Sequence, residues 1–208
     1  MRKIKVIGVG PGSPACITRE ALAAIKESPV LIGGKRHLKT FAGENQEQFI
    51  ISGDMDEVLD VIKGRREDGV AVLASGDPGM YGILNYLSTR LEDFDIEVIP
   101  GISSVQVAFA RLSLPWHDAV ILSAHGRSAE NVAQIAKGEK KVAVLTGPES
   151  TPEKLFSLIS RDGMDRRFYF CFDLSLPGES ILRLRTGDEF PAGYRGRHNC
   201  VVVILNGK

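Results

Sequence analysis

Cysteine is scarce in this chain of 208 residues. Cys16, Cys171 and Cys200 are odd in number and far apart, so they form neither a disulfide framework nor the paired spacing of a metal site. His37, His117, His125 and His198 are equally scattered, and no protein-bound metal is expected. No apolar run approaches the roughly 18 residues of a membrane helix, and the N-terminus lacks a charged-then-apolar signal pattern. A cytoplasmic protein with no membrane partner is the expectation. Net charge is missing as well, because 26 Lys+Arg balance 26 Asp+Glu. A large nucleic-acid footprint usually shows as a basic excess, so no nucleic-acid partner is expected; a local basic patch stays open. Repeats and low-complexity segments are absent.

What is present is a globular composition, 43% hydrophobic and 25% charged, which supports a packed core and argues against disorder. Short apolar runs alternate with helix-like segments. Strands are expected at residues 3–9, 30–32, 70–74, 96–99, 119–123, 142–145, 168–172, 181–184 and 201–205. Thr18 is placed to cap the helix "REALAAIKE", Asp54 with Glu57 opens "MDEVLDVIKGRRE" as a capping box, and Thr151-Pro152 opens "EKLFSLISRDG", with Gly163 as its stop. This alternation predicts an α/β fold with largely parallel sheets. The link "LSLPGES" is too short for a crossover helix, so an antiparallel pair is expected near the C-terminus. The best domain break is "RLSLPWHD", giving domains 1–113 and 114–208 with a ligand cleft between them.

The stretch "KVIGVGPGSPACIT", residues 5–18, has the look of a strand entering a nucleotide loop. A Walker A loop ends in Lys and a hydroxyl residue; this one ends in Ala15-Cys16-Ile17-Thr18. The dinucleotide fingerprint needs a third glycine where Ser13 stands, and an acid that the next strand does not supply. Pro11 and Pro14 also remove two N–H donors from a loop meant to cradle phosphate. The loop therefore suits close backbone approach without pyrophosphate. Two more loops follow strands in the same way. "SGDPGMYG", residues 75–82, places the Asp77 carboxylate at a strand end. "IPGISS", residues 99–104, opens a helix with Ser103 and Ser104, whose hydroxyls and N–H groups suit a carboxylate.

Together "GVGPGSP…IT", "SGDPGMYG" and "PGISS" resemble the tetrapyrrole (corrin/porphyrin) methylases over essentially the whole chain. "LIGGKRHL", "ILSAHGR" and "LTGPESTP" look most like the precorrin-7 and cobalt-precorrin-7 C5-methyltransferases of cobalamin synthesis. The resemblance implies two α/β domains with the methyl donor, S-adenosylmethionine, in the cleft between them, and a homodimer. It implies donor contacts at Pro11, Ser75, Gly76, Asp77, Met80, Ser103, Ser104 and Thr146, with Leu174 as a further candidate. His125 of "SAHGR" is the candidate for proton handling, since imidazole titrates near neutral pH. Lys35, Arg36 and Arg127 are candidates for meeting the carboxylates of a corrin substrate.

Other readings stay open: a methylase for another ring position or the siroheme branch, one acting on ribosomal RNA or a translation factor, and a donor-binding protein without transfer activity. A bifunctional enzyme that also methylates C15 and decarboxylates needs a second methyltransferase domain, so that step is expected from a separate chain.

Overall fold

The computed structural model describes residues 3–65 and 67–207. The chain divides into two units after Ser103. In the first, β1 (Ile4–Gly8), β2 (Val30–Gly33), β3 (Glu47–Ile50), β4 (Val70–Ala74) and β5 (Ile96–Ile99) form an all-parallel sheet in the order β3-β2-β4-β1-β5. Side chains alternate across a strand, and both faces of this sheet are covered, so β2 and β4 read as unbroken apolar runs, while β1 is broken only by Lys5, which reaches Glu27. Ile4, Val6, Val30, Ile32, Val70 and Val72 pack on one face against α3 (Met55–Gly64) and α4 (Leu84–Arg90). Ile7, Leu31, Ala71 and Leu73 pack on the other against α1 (Arg19–Glu27) and α2 (Lys35–Phe41).

The helix starts follow the predicted chemistry. The Thr18 hydroxyl accepts from the Ala21 N–H at 3.1 Å. Asp54 accepts from the Asp56 and Glu57 N–H groups, but the returning half of the capping box is replaced: Glu57 accepts from the Ser52 hydroxyl at 3.1 Å.

The second unit holds α5 (Ser104–Leu112), β6 (Val120–Ser123), α6 (Ala129–Gly138), β7 (Lys141–Leu145), α7 (Pro152–Ser160), β8 (Arg166–Phe172), β9 (Ser180–Arg185) and β10 (Cys200–Asn206). Its sheet runs β6-β7-β10-β8-β9. The short link gives the expected antiparallel β8–β9 pair, but β10 also runs antiparallel to both β7 and β8. Only β6–β7 is parallel among the described residues, so "largely parallel" holds for the first sheet and not for this one. β10 inserts between two parallel-running strands, and adjacent antiparallel pairing needs no crossover helix.

The division also falls earlier than residue 113. α5 packs on β10 and buries Val105, Val107, Ala108 and Phe109, which ties it to the second unit. That unit's core centres on Phe156, Phe168, Phe170 and Phe190, with Phe156–Phe168 and Phe170–Phe190 in edge-to-face contact at centroid distances of 4.9 and 5.3 Å.

Candidate active site

In a parallel sheet every strand's C-terminal end points the same way, so the loops after β2, β4, β1 and β5 emerge along one edge of the first unit. Three of them are tied together by backbone. Gly10 and Gly76, both left-handed (φ 77° and 67°), exchange hydrogen bonds of 3.3 and 2.9 Å. Gly101 lies so close to both neighbouring loops that a Cβ there would sit 2.2 Å from the Gly76 carbonyl oxygen and 2.7 Å from the Gly8 carbonyl carbon. The expected close backbone approach at the first loop is therefore met by the chain's own loops packing on each other.

Asp77 is the clamp between two of these loops. Its Oδ1 accepts from the Gly79 N–H at 2.9 Å and its Oδ2 from the Gly101 N–H at 3.1 Å. Each carboxylate oxygen keeps a second lone-pair direction. The half-buried Pro11, the exposed Ser75, the buried Gly76, the half-buried Met80 and the buried Ser103 sit on the same three loops. Ser104 begins α5 and belongs to the second unit. Tyr81, beside Met80, holds φ at 54° and is exposed, a backbone conformation that non-glycine residues adopt rarely. Lys35 and Arg36 are exposed at the start of α2, after β2 on this edge. The next residue, His37, is buried; burial and then the Arg36 charge lower its pKa, which favours the neutral ring.

In the second unit, β6, β7 and β8 run in one direction, so the loops that follow them share an edge with the start of β10. This gathers His125, Arg127, Thr146 and Leu174. His125 is exposed, with its N–H donated to the Ser123 hydroxyl at 3.3 Å and its Nδ1 3.4 Å from the same oxygen. The ring rests against Gly147, where a Cβ would lie 3.3 Å from His125 Cδ2. The Ser150 hydroxyl donates to the Arg127 carbonyl at 3.2 Å, which locks the loop after β6 to the loop after β7. Thr146 is buried. Its N–H donates to the Cys200 carbonyl, and its hydroxyl lies 2.6 and 2.8 Å from the His198 and Cys200 carbonyls. Its carbonyl is the group it has left to offer a ligand.

Leu174 is buried between Asp173 and Ser175, both left-handed (φ 46° and 66°). Asp173 accepts from Arg197 at 2.6 Å and Asn199 at 2.8 Å, and Arg197 stacks 4.4 Å over the Phe172 ring. Burial opposes ionisation of Asp173, but these hydrogen bonds outweigh it and hold the carboxyl below its ordinary value. Sequence reasoning missed this group, because its members are separated by 24 residues and meet only through the β8–β10 ladder. Among the described residues no group of three or more His, Cys, Asp or Glu could hold a metal ion, and no helix is long and apolar enough to cross a membrane.

The family described as Tetrapyrrole (Corrin/Porphyrin) Methylases matches residues 3–188. The cobalt-precorrin-7 C(5)-methyltransferase of Salmonella typhimurium is 35% identical over 179 residues, 86% of this chain and 88% of that protein. The crystal structure of the methyltransferase CobJ shares the fold with a TM-score of 0.81 at 23% identity, over 100% of this chain and 95% of that one. The uroporphyrin-III C-methyl transferase of Thermus thermophilus, solved with S-adenyl homocysteine, has a TM-score of 0.70 at 18% identity, over 98% and 97%.

Proposed function

The chain belongs to the tetrapyrrole (corrin/porphyrin) methylases, and on that premise we propose that it transfers a methyl group from S-adenosylmethionine to C5 of a corrin precursor, cobalt-precorrin-7 or precorrin-7. The observation that carries the assignment to C5 is the 35% identity, across most of both chains, with the Salmonella enzyme of that name. On the same reading the protein works in the cytoplasm as a homodimer, needs no protein-bound metal, and leaves C15 methylation and decarboxylation to a separate catalytic unit.

The residues fit such a donor. The amide groups of Gly10, Gly76, Gly79 and Gly101 are used in contacts within and between loops, which leaves little for a phosphate but suits a ligand without one. Hydroxyls of Ser75, Ser103 and Ser104, the spare lone pairs of Asp77 and the Met80 thioether offer polar and apolar contacts to an amino acid, a ribose and an adenine. Pro11 is assigned to the donor in the first unit, and in the second unit the Thr146 carbonyl and the apolar Leu174 are assigned to it as well. When bound, the donor supplies a sulfonium-activated methyl. The chain's own share is to orient donor and corrin and to exclude water, which can supply much of the acceleration. Ser123 engages His125 through Nδ1, which leaves Nε2 for aligning the substrate or handling a proton. Arg127, Lys35 and Arg36 are assigned to the substrate's carboxylates, Arg by bidentate hydrogen bonds.

The direct test is incubation with methyl-labelled donor and cobalt-precorrin-7 or precorrin-7. One label at C5 is expected; label at another ring position, or none, sinks the reading. Two variants then separate binding from chemistry. Arg127→Ala should raise the apparent KM for the corrin about tenfold, the cost of one charged hydrogen bond, with donor affinity unchanged. His125→Ala should lower kcat if its ring acts in the transition state, and shift mainly KM if it only binds. Wild-type parameters in both variants would make "SAHGR" structural.

Asp77→Ala should weaken donor binding by about 1–3 kcal/mol, because the loop clamp and the acceptor are lost together. Calorimetry showing wild-type donor affinity would remove Asp77 from the site.

A further inference from the structure

At the far end of the second sheet, where β8 starts and β9 and β10 finish, Arg166, Arg167 and Arg185 gather beside Asp162, Asp165 and Asp188. Arg167 and Arg185 are directly opposite in the β8–β9 ladder, so their side chains share one face. Arg183, two residues back along β9, shares it too. Arg167 and Arg185 are exposed, and among the described residues neither has an ion-pair partner. A cavity of about 290 Å³ opens beside them, lined by Asp165, Arg166, Arg167, Arg185 and Gly207.

Arg166 is fully buried. Its Nη atoms are held by Asp162, one bond being 2.8 Å, and by the Ile159 carbonyl, but its Nε–H has no partner among the described residues. Thr186, whose N–H bonds the Arg166 carbonyl, likewise has a buried hydroxyl without a partner. Like charges directly opposite destabilise a ladder, and each unmet buried donor costs more. Charges on an edge strand guard against strand addition, which accounts for Arg183 and Arg185 on β9. That role does not account for Arg167 on the inner strand facing one of them.

An oxyanion between the two guanidinium forks relieves the repulsion by paired charge-assisted bonds. Asp165 narrows the class. A carboxylate repels a fully deprotonated anion but accepts a hydrogen bond from one whose last pKa, about 6 for a phosphate monoester, lies close enough to neutrality for a proton to be kept on binding. Phosphate meets that condition and sulfate does not. We propose that this cavity is a phosphate-binding site, for inorganic phosphate or a phosphate monoester, apart from the loop edge that carries His125 and Thr146.

The test is calorimetric titration of the intact chain, at constant ionic strength, with inorganic phosphate, glycerol 3-phosphate and sulfate. Saturable phosphate binding is expected, with sulfate weaker by about tenfold, as for the loss of one hydrogen bond to a charged group. Tighter binding of glycerol 3-phosphate would assign the site to an organic phosphate, and the reverse order to inorganic phosphate. The double variant Arg167→Gln, Arg185→Gln should lose phosphate binding by about tenfold or more and keep wild-type S-adenosylmethionine affinity. Without phosphate, at low salt, its Tm should equal or exceed that of the wild type, because the repulsion is gone. No saturable binding, equal sulfate and phosphate affinity, or undiminished binding in the variant would each overturn the proposal.

Discussion

Gly101→Ala is expected to disorder the loop edge of the first unit and to cost most of its donor binding. The new methyl would stand 2.2 Å from the Gly76 carbonyl oxygen and 2.7 Å from Gly8, both backbone atoms that no rotamer change can move aside. One of the loops must shift, and with it the Asp77 clamp that accepts from the Gly101 N–H. Overpacking of this kind costs about 1–3 kcal/mol. Expressed as lost loop order, it lowers donor affinity by about ten- to hundredfold. Gly138→Ala is the matched control. A Cβ there meets nothing within 4 Å, and the position closes helix α6, so stability should hold or rise slightly. Isothermal titration with S-adenosylmethionine and thermal melts of both variants check the pair. Equal donor affinity in Gly101→Ala and wild type would show that the three-loop junction does not shape the site.

Phe170→Ala is expected to give the largest loss of global stability. The ring is fully buried on the helix-facing side of β8, in edge-to-face contact with Phe190 at 5.3 Å and near Phe156 at 5.9 Å. Its removal leaves a cavity that rigid strands on both sides cannot close, and Phe-to-Ala changes of this type cost about 3–5 kcal/mol. Chemical denaturation should show a lower midpoint with an unchanged slope. A loss under about 1 kcal/mol would mean that the cluster repacks around the gap.

Local chemistry was readable wherever it acted alone. The caps at Thr18, Asp54 and Thr151 form as their side chains dictate. All nine expected strands are present, because β-rich apolar runs bounded by turn residues carry their own signal. The strand that escaped notice, β3, is a short polar "EQFI" at the sheet edge, largely exposed. Only Phe49 is partly buried, against the core, so the segment shows little alternation or apolar character, and pairing with β2 makes it a strand.

The three glycine loops were likewise visible as loops, and their order along the chain was enough to reveal the family resemblance. Their mutual contacts were not. Gly8, Gly76 and Gly101 lie far apart in sequence, and only the order β4-β1-β5 makes them neighbours, so the sequence could specify small residues without saying that backbone would be what they meet. The same limit hid the Asp173–Arg197–Asn199 group, brought together where β8 ends beside the start of β10, and the facing Arg167 and Arg185, created by strand register. The chain by itself determined what is local: caps, strand periodicity and turn chemistry within a few residues of one another. Tertiary structure decided the direction of β10, the allegiance of α5, and every contact across the ladders. Those depend on which strands lie side by side, a balance of burial summed over a whole unit rather than written in any one segment.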